Sequence, residues 1–593
     1  MNKLTNLIKS IVTAAVVLAL ANCASQQSSV VETVPAPEIA AEEQTIIITG
    51  SRIKRSDSEA AQIVENFIER LDRHGKGVVL SDNQDILSIY REKTQLTYKE
   101  RQDFYRVIDV DPRASHQIFK RYRVNPTINT INKPTSTFSM DVDNGSFKLA
   151  KTMLSIGQLP NADGIRIEEF VNAMDYQYQP SEDLFAVSAE AMPSPFRNGY
   201  HILHLGLQTK ALSDSERNPS NLVIVADISG SMNSDNKLTL LKDSMTTLVS
   251  QLNRDDKIAL VTYNDDAQLV LSPTRASNKR KIFRAINKLK AGGSTNAEKG
   301  LLKGYQLANE MFAPGFNNRV ILTSDGMANV GSTSPEAILN KISEYKNKGI
   351  FLTTLGVGVG IYNDHLLEQL ANKGNGNYLY VANQSDIQDA FVDQLNSQLQ
   401  TVAKDAKIQV KFDPAQVSSY RLLGYENRHL NEQDFTDPNK DGGEIGAGHK
   451  VTALYEIKIN DESSANTPVN QTLGQLSIAY KKPQGQKVHY ITKPLPGSII
   501  SSSVGSASAD SRLSFGVAAF AEKLRQSYWA RLYSYYDVER LIANLPPSYR
   551  RSNQVKKLKE LIQVASRLDH RDDPFEARYP KSTIDFDRVP LLD

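Results

Sequence analysis

Cysteine is nearly absent from this sequence: one residue in 593, Cys23, is a cysteine. A single cysteine excludes an intramolecular disulfide bond and any zinc site that needs several thiolates. Long apolar runs are absent as well, because no segment after the first 22 residues reaches the roughly 18 consecutive apolar residues that a membrane-spanning helix needs. The length nevertheless allows about three or four domains, each with a full hydrophobic core.

An excess of charge of one sign is also missing. The chain has 69 basic and 67 acidic side chains, which gives a formal net charge of +2. Lys3 and Lys9 are the charged residues of the first 22, and without them the basic side chains also number 67. A neutral chain does not create the basic field that attracts nucleic acid. We therefore expect no nucleic-acid partner.

The first 22 residues have the features of a secretory signal. Two lysines precede the apolar run 11–21, which is too short to span a bilayer easily. Leu20-Ala21-Asn22-Cys23 resembles a bacterial lipobox, although Asn22 departs from the usual small residue. This resemblance implies cleavage before Cys23, a lipid on its thiol, and, from Ala24, an outer membrane location facing the periplasm. An ordinary secretory signal with an incidental cysteine is the alternative.

Apolar strands alternate with amphipathic helices between residues 219 and 402. This alternation predicts a mainly parallel sheet that is covered by helices on both faces, an α/β doubly wound fold. The predicted strands are 222–226, 258–262, 320–323, 350–357 and 378–381. The predicted helices are 236–252, 276–290, 296–311, 334–347, 362–373 and 384–401.

Short strands separated by turns follow, over residues 405–495, and predict a β-rich module. A similar strand at 200–207 precedes the α/β block, so we expect that block to be inserted in a β-sandwich contributed by both flanks. The whole chain is predicted to contain a signal peptide (1–22), a flexible tether (23–58), a mixed segment (59–130), an N-terminal module (131–215), the α/β domain (219–402), the β-rich module (405–495), a Ser-rich linker (496–511) and a C-terminal helical module (512–593).

Oxygen-bearing side chains occur in three loops that follow or precede these elements. Asp227, Ser229 and Ser231 alternate in the strand-end loop (residues 227–231), Thr295 lies in a glycine-rich loop before a helix, and Asp325 ends another apolar strand. Ligands of parallel α/β sheets bind at the carboxyl ends of strands. Hard cations such as Mg²⁺ take oxygen ligands. The pattern predicts a Mg²⁺ site, or one for Mn²⁺ or Ca²⁺, which keeps an open position for an outside carboxylate.

These five residues resemble the metal-ion-dependent adhesion site of von Willebrand factor A domains. The resemblance implies that Ser229, Ser231 and Thr295 are direct metal ligands, while Asp227 and Asp325 act partly through water. Segments outside that domain, among them 136–142, 157–160, 166–170, 443–449 and the helical end, are similar to YfbK-type bacterial lipoproteins. That family implies the architecture and an envelope location, but it offers no settled activity.

The function that these observations favour is binding of a protein partner, which offers an acidic side chain to the metal. The chain would reach its membrane through the lipid anchor, and no enzyme activity and no small-molecule substrate are expected. An alternative is a structural or assembly protein in which the metal only stabilises the fold, and a hydrolase using Ser231 is less favoured because no Gly-x-Ser-x-Gly elbow surrounds it. The segment 437–442 has the opening spacing of an EF-hand loop but is incomplete, which favours a simple turn.

Overall fold

The structure is a computed structural model. It describes residues 122–576 except 141, 181, 214, 235, 326–339, 343, 347, 359–363, 394–396, 398, 461–470 and 484, together with two short strands at 46–48 and 118–120. The predicted signal peptide, Cys23, most of the tether and the end of the chain after 576 lie outside the described residues. Within the described part, no helix is both long and apolar enough to cross a membrane.

The strands and helices predicted for residues 219–402 follow one another in the predicted order, with an additional strand at Ala267–Arg275, and most of the predicted helix 334–347 lies outside the described residues. The strands are β1 Ile46–Ile48, β2 Ile118–Lys120, β3 Ile128–Asn129, β4 Thr135–Ser139, β5 Phe185–Pro193, β6 Tyr200–Thr209, β7 Ser220–Asp227, β8 Lys257–Tyr263, β9 Ala267–Arg275, β10 Asn317–Ser324, β11 Ile350–Val357, β12 Tyr378–Val381, β13 Thr401–Phe412, β14 Val417–Leu423, β15 His429–Leu430, β16 Gly443–Gly446, β17 Lys450–Ile459, β18 Thr472–Lys481 and β19 Val488–Pro496. The helices are α1 Gly145–Ser155, α2 Ile167–Asn172, α3 Lys237–Gln251, α4 Lys279–Asn287, α5 Ala297–Glu310, α6 Asp364–Lys373, α7 Gln384–Gln388, α8 Ala509–Leu524, α9 Tyr535–Ala543, α10 Pro547–Arg550 and α11 Asn553–Leu568.

The α/β domain is a six-stranded sheet in the order β12-β11-β10-β7-β8-β9. All neighbouring strands are parallel except the edge pair β8 and β9. Strand β7 is buried along its whole length, with Leu222 and Ile224 in the core on one face and Val223 and Val225 in the core on the other. Burial on both faces explains why this strand is a continuous apolar run in the sequence. The predicted doubly wound fold is confirmed.

The segments that precede and follow the α/β domain in the chain together form a β-sandwich. One sheet has the order β15-β4-β13-β18-β19, with β16 beside β13, and the other has the order β3-β14-β17-β6-β5. Strand β4 precedes the α/β domain and pairs with β13 after it, and β6 pairs in the same way with β17. Side chains of both sheets share one core, which includes Phe138, Leu205, Ile408 and Tyr455. The expected insertion of the α/β block between two contributing flanks is therefore confirmed.

Helices α8 to α11 share a separate core with the helices that precede the α/β domain. Phe520 of α8 packs against Phe170 of α2 with ring centroids 6.2 Å apart, and Phe170 packs against Phe147 of α1. The apolar face of α11 buries Val555 and Leu558 in the same core. The C-terminal helices thus pack on the N-terminal module and close one side of the sandwich.

Glu190 of β5 holds the Ser-rich segment 496–511 against the sandwich. Its carboxylate accepts hydrogen bonds from Ser501 Oγ at 2.7 Å, from Ser508 N at 3.0 Å and from Ser511 Oγ. Burial opposes ionisation of Glu190, but the hydrogen bonds from Ser508, Ser511 and Ser501 outweigh it and lower the pKa of the carboxyl. The segment predicted as a linker is therefore anchored by a charged acceptor.

Replacing Glu190 by glutamine should lower the free energy of unfolding by about 1 kcal/mol at neutral pH, because charge-assisted hydrogen bonds become neutral ones. The pKa of Glu190 is depressed in the folded state, so its contribution is complete above the pKa of an unfolded glutamate. It is lost as the pH falls through the lower folded value. The difference between the two proteins should thus shrink below about pH 4. Urea denaturation of both proteins, at neutral pH and below about pH 4, measures this difference in stability.

Glu182→Gln is the matched control for this comparison. Glu182 lies on the same segment of the chain, but its side chain is 98% exposed and pairs with Lys210 at the surface. Exposed ion pairs contribute little to stability, so the control should unfold like the wild type. A Glu190→Gln protein as stable as the wild type at neutral pH would contradict the proposed anchoring.

Candidate metal site at the carboxyl edge of the sheet

Asp227 is the last residue of the central strand β7 and is fully buried. Its Oδ1 accepts a hydrogen bond from Ser229 N at 2.9 Å. Its Oδ2 accepts from Tyr263 OH and from Ser324 Oγ, both at 3.1 Å. Neighbouring strands β8 and β10 supply these two hydroxyls, so the sheet itself fixes the orientation of the carboxylate.

Ser229 and Ser231 follow Asp227 in the strand-end loop. A turn of 3₁₀ helix begins at Gly230 and brings their hydroxyl oxygens to 3.0 Å from each other. Ser229 is 1% exposed, whereas Ser231 is only partly buried. The two oxygens are therefore adjacent, and one of them faces toward the accessible side of the sheet edge.

Thr295 lies in the loop that precedes helix α5 and is 2% exposed. The backbone of this loop hydrogen-bonds to the strand-end loop twice: Gly230 N donates to Gly293 O at 2.9 Å, and Gly292 N donates to Ile228 O at 2.8 Å. Two loops that are about 65 residues apart in the chain are thus tied together through their backbones. This brings Thr295 to the same edge of the sheet as the two serines.

Asp325 follows the last residue of β10 and is fully buried. Burial raises the pKa of Asp227 to about 6, and the negative charge of Asp325 contributes to the rise. The two carboxylates therefore lie close enough to repel each other in a poorly solvated place. The structure thus places the three loops that carry the five sequence-predicted residues at the carboxyl edge of the sheet.

Lys237 is a residue of this site that the sequence pattern did not reveal, as are Tyr263 and Ser324. The Nζ of Lys237 lies 3.0 Å from Asp325 Oδ2, and its side chain is 4% exposed. It is the first residue of α3, where the helix dipole disfavours a positive charge. A lysine at a helix start, soon after an expected ligand, is the signal that could have indicated a buried acidic partner.

The donor set fits a hard divalent cation. It contains two buried carboxylates, whose mutual repulsion a cation would relieve, and three hydroxyls of which one pair is already 3.0 Å apart. Mg²⁺ and Ca²⁺ bind such oxygen donors, and Mg²⁺ usually keeps several waters. Nowhere in the described part of the chain do three or more His, Cys, Asp or Glu side chains form a group that could hold a metal. The candidate site differs from such groups because most of its donors are hydroxyls.

Gly300 of helix α5 allows the helix to lie directly on the strand that supports the site. A Cβ atom at this position would come 2.7 Å from the ring of Tyr263. Tyr263 is the residue whose hydroxyl binds Asp227. The lack of a side chain at Gly300 therefore helps to place the tyrosine beneath the carboxylate.

The weaker sequence signals have structural roles. Asp437 Oδ1 accepts from Asn439 N at 2.8 Å, which is the expected turn. His449 accepts from Gly446 N at 3.0 Å, and burial followed by the charge of Arg319 lowers its pKa to about 4. Burial followed by Asp405 raises the pKa of Glu444 to about 8. His449 and Glu444 are both buried, whereas the turn at Asp437 is exposed.

Comparison with known proteins places the α/β domain in a class. The family model of the von Willebrand factor type A domain matches residues 221–394, and a model described as von Willebrand factor matches residues 113–204. Domains of this class generally mediate protein–protein interactions, commonly bind a divalent metal and are generally not enzymes. The chain therefore contains a von Willebrand factor type A domain.

The remainder of the chain identifies the family. A model described as the C-terminal region of the uncharacterized protein YfbK matches residues 397–568. The chain is 35% identical over 443 residues to the uncharacterized protein YfbK of Escherichia coli (strain K12), which covers 71% of this chain and 76% of that protein. This chain belongs to the YfbK family.

Two more distant similarities extend the comparison. The uncharacterized protein sll0103 of Synechocystis sp. is 27% identical over 301 residues, which are 50% of this chain and 69% of that protein. A solved von Willebrand factor type A structure from Catenulispora acidiphila aligns with a TM-score of 0.39 at 13% identity, covering 66% of this chain and 97% of that one.

Proposed function

We propose that this protein binds a protein partner through a divalent metal held by Asp227, Ser229, Ser231, Thr295 and Asp325. The observation that carries the proposal is that the three loops holding these residues meet at the carboxyl edge of the sheet, where the hydroxyls of Ser229 and Ser231 are 3.0 Å apart and Asp227 and Asp325 interact electrostatically. A divalent cation bound there would offer a coordination position to a carboxylate of the partner. Mg²⁺ is the proposed ion, with Mn²⁺ or Ca²⁺ as substitutes.

The roles of the residues follow from their burial and charge. Ser229, Ser231 and Thr295 would give neutral oxygens, so the cation would keep much of its positive charge for an outside ligand. Asp227 is held by Ser229, Tyr263 and Ser324, so it needs little rearrangement when a cation binds. Preorganised donors of this kind favour binding because the cost of orienting them is met by folding.

The test is capture of a partner from a membrane extract. Wild-type protein on a solid support should retain a partner with Mg²⁺ and lose it with EDTA, and the Asp227→Ala protein should retain none with Mg²⁺. Melting curves in metal-free buffer check that the variant is folded. Equal capture by both proteins, or capture that EDTA leaves unchanged, would refute metal-mediated binding.

A second candidate is a structural or assembly protein in which the metal only stabilises the fold. It is supported by the size of the sandwich and of the helical module, which together form most of the described chain outside the α/β domain. Both candidates predict that metal raises the melting temperature, since a ligand of the native state stabilises it. Only partner binding predicts that capture depends on the metal, so the pull-down separates them.

Hydrolysis is disfavoured by the surroundings of Ser231. Among the described residues, Ser231 Oγ hydrogen-bonds to Ser229 Oγ and to no histidine. A serine nucleophile needs an adjacent base to take its proton. A hydrolase screen of the purified protein tests this directly, and activity that disappears in Ser231→Ala would revive the enzyme hypothesis.

We also propose that the protein is anchored by a lipid on Cys23, at the outer membrane and facing the periplasm. The support is the sequence Leu20-Ala21-Asn22-Cys23 after a short apolar run. The Cys23→Ala protein should lose both palmitate labelling and partition into the detergent phase of a phase separation, because one position carries the lipid. Wild-type protein without label would contradict the anchor while leaving the metal site untouched.

A further inference from the structure

Lys237 places a fixed positive charge inside the candidate metal site. Its Nζ is 3.0 Å from Asp325 Oδ2, with the two side chains 4% and 0% exposed. Burial of both partners means that solvent screens this pair far less than the ion pairs of the surface. Lys237 is therefore a charged group of the site itself, although a lysine is no ligand for a cation.

The position of the ammonium is enforced by packing. The aliphatic part of Lys237 lies against Gly358, just after strand β11, where a Cβ atom would come 2.5 Å from Lys237 Cγ. Gly358 has a φ of +86° and is tied to β12 by a hydrogen bond from its N to Val381 O at 2.9 Å. The lysine thus crosses the end of β11, with its aliphatic part against Gly358, to reach Asp325 after β10.

The charges of Asp227, Asp325 and Lys237 decide which ligands the site attracts once it holds a divalent cation. Asp227, Asp325 and Lys237 together carry one net negative charge, so a divalent cation among them leaves one net positive charge. If Lys237 were neutral, the same cation would leave none. Like charges in a low-dielectric site repel strongly, so the lysine disfavours the cation on its own.

We propose that Lys237 couples metal binding to carboxylate binding at this site. It weakens binding of the cation alone and makes an anionic ligand at the open position favourable, so metal and partner carboxylate bind cooperatively. Lys237 acts as a specificity-determining residue through charge rather than as a ligand. This inference rests on the proposed function and deepens it, because it assigns to Lys237 the coupling between the metal and the carboxylate of the partner.

Calorimetric titration with Mn²⁺, with and without acetate as a model carboxylate, tests the coupling. In the wild type, acetate should raise the affinity for Mn²⁺. In Lys237→Met, the affinity for Mn²⁺ alone should rise about tenfold or more, the effect of roughly 1.4 kcal/mol of removed repulsion, and the effect of acetate should be lost. The weak association of Mn²⁺ with acetate in buffer is measured separately and subtracted.

Two further variants keep the result interpretable. Lys237→Arg retains the charge and should keep the coupling, and Lys242→Met removes a half-buried lysine of the same helix, which donates to Asn287 O, and should match the wild type. If Lys237→Met does not fold, Lys237→Gln takes its place. Its affinity for Mn²⁺, with and without acetate, is then compared with that of the wild type.

The possible failures are distinguishable. Mn²⁺ affinities that are equal in the wild type and Lys237→Met would refute the role of Lys237 and leave the metal site standing. A wild-type affinity for Mn²⁺ that acetate does not change would also refute the role of Lys237 without refuting the metal site. No binding of Mn²⁺ by any of the proteins would refute the inference together with the proposed function.

Discussion

Mg²⁺ at about one hundred times its dissociation constant should stabilise the wild-type protein by about 2.7 kcal/mol and should leave Asp227→Asn unchanged. The shift of the α/β domain's melting transition should be about 5–10 °C, because 1 kcal/mol corresponds to about 2–4 °C in a domain of this size. Asparagine replaces the charged donor with a neutral amide, so the cation loses one of its two carboxylates.

The Asp227→Asn substitution should leave the metal-free fold intact. The amide oxygen of the new side chain can accept from Ser229 N, and its NH₂ group can donate to the hydroxyls of Tyr263 and Ser324, which also act as acceptors. The substitution also removes the repulsion between Asp227 and Asp325 that burial makes costly. The metal-free variant should therefore melt at or above the wild-type temperature.

Asp266→Asn is the matched control for the loss of one carboxylate near the site. Asp266 lies in the loop after β8, its side chain is 71% exposed, and it pairs with Lys299 at the surface. The control should show the full Mg²⁺ shift. A shift that persists in Asp227→Asn would mean that the metal binds elsewhere.

Replacing Glu522 by alanine should lower the free energy of unfolding by about 3–5 kcal/mol, the cost of breaking a buried ion pair. Arg421 of β14 donates to Glu522 of α8 at 2.7 Å, and the two side chains are 4% and 2% exposed. The truncation would leave a buried guanidinium with part of its hydrogen bonds missing. Urea denaturation, followed through the fluorescence of Trp529, measures the loss.

The network around Arg421 explains the size of this effect. Glu456 of β17 accepts from Arg421 and, at 2.7 Å, from Arg197. The Trp529 ring lies 4.8 Å from the Arg421 guanidinium and 5.2 Å from that of Arg197. These groups join the sandwich to the helical module, so the substitution should loosen the helices from the sheet.

Glu560→Ala provides the comparison at the surface of the same module. Its side chain is 63% exposed and pairs with Lys557 on helix α11. Removing such a pair should change stability by less than about 0.5 kcal/mol. A Glu522→Ala protein within that range of the wild type would show that the buried network contributes little.

The sequence predicts the α/β domain well because its signals are local, and the same kind of signal is the basis of the candidate site. Strand β7 is apolar without interruption over residues 222–226, and Asp227, Ser229 and Ser231 follow it in one short loop. The edge strand β9 was not predicted, because Leu269 and Val270 are exposed and Pro273 interrupts the pattern. An exposed edge strand lacks the burial that produces a clear apolar period.

Interactions of charged side chains with partners that are distant in the sequence could not be predicted. Lys237 and Asp325 are 88 residues apart, and Glu190 and Ser511 are 321 apart. Neither lysine nor glutamate signals burial by its residue type, since both are usually solvated. The serine-rich composition of 496–511 indicated a linker, whereas its attachment depends on one glutamate on a remote strand.

Crystals grown with Mn²⁺ test most directly whether a divalent metal binds at the strand-end loop. The anomalous difference map should contain one strong peak beside the hydroxyls of Ser229, Ser231 and Thr295, and none in crystals of Asp227→Asn. A map without a peak at this edge of the sheet, or with the same peak in both proteins, would contradict the proposed site.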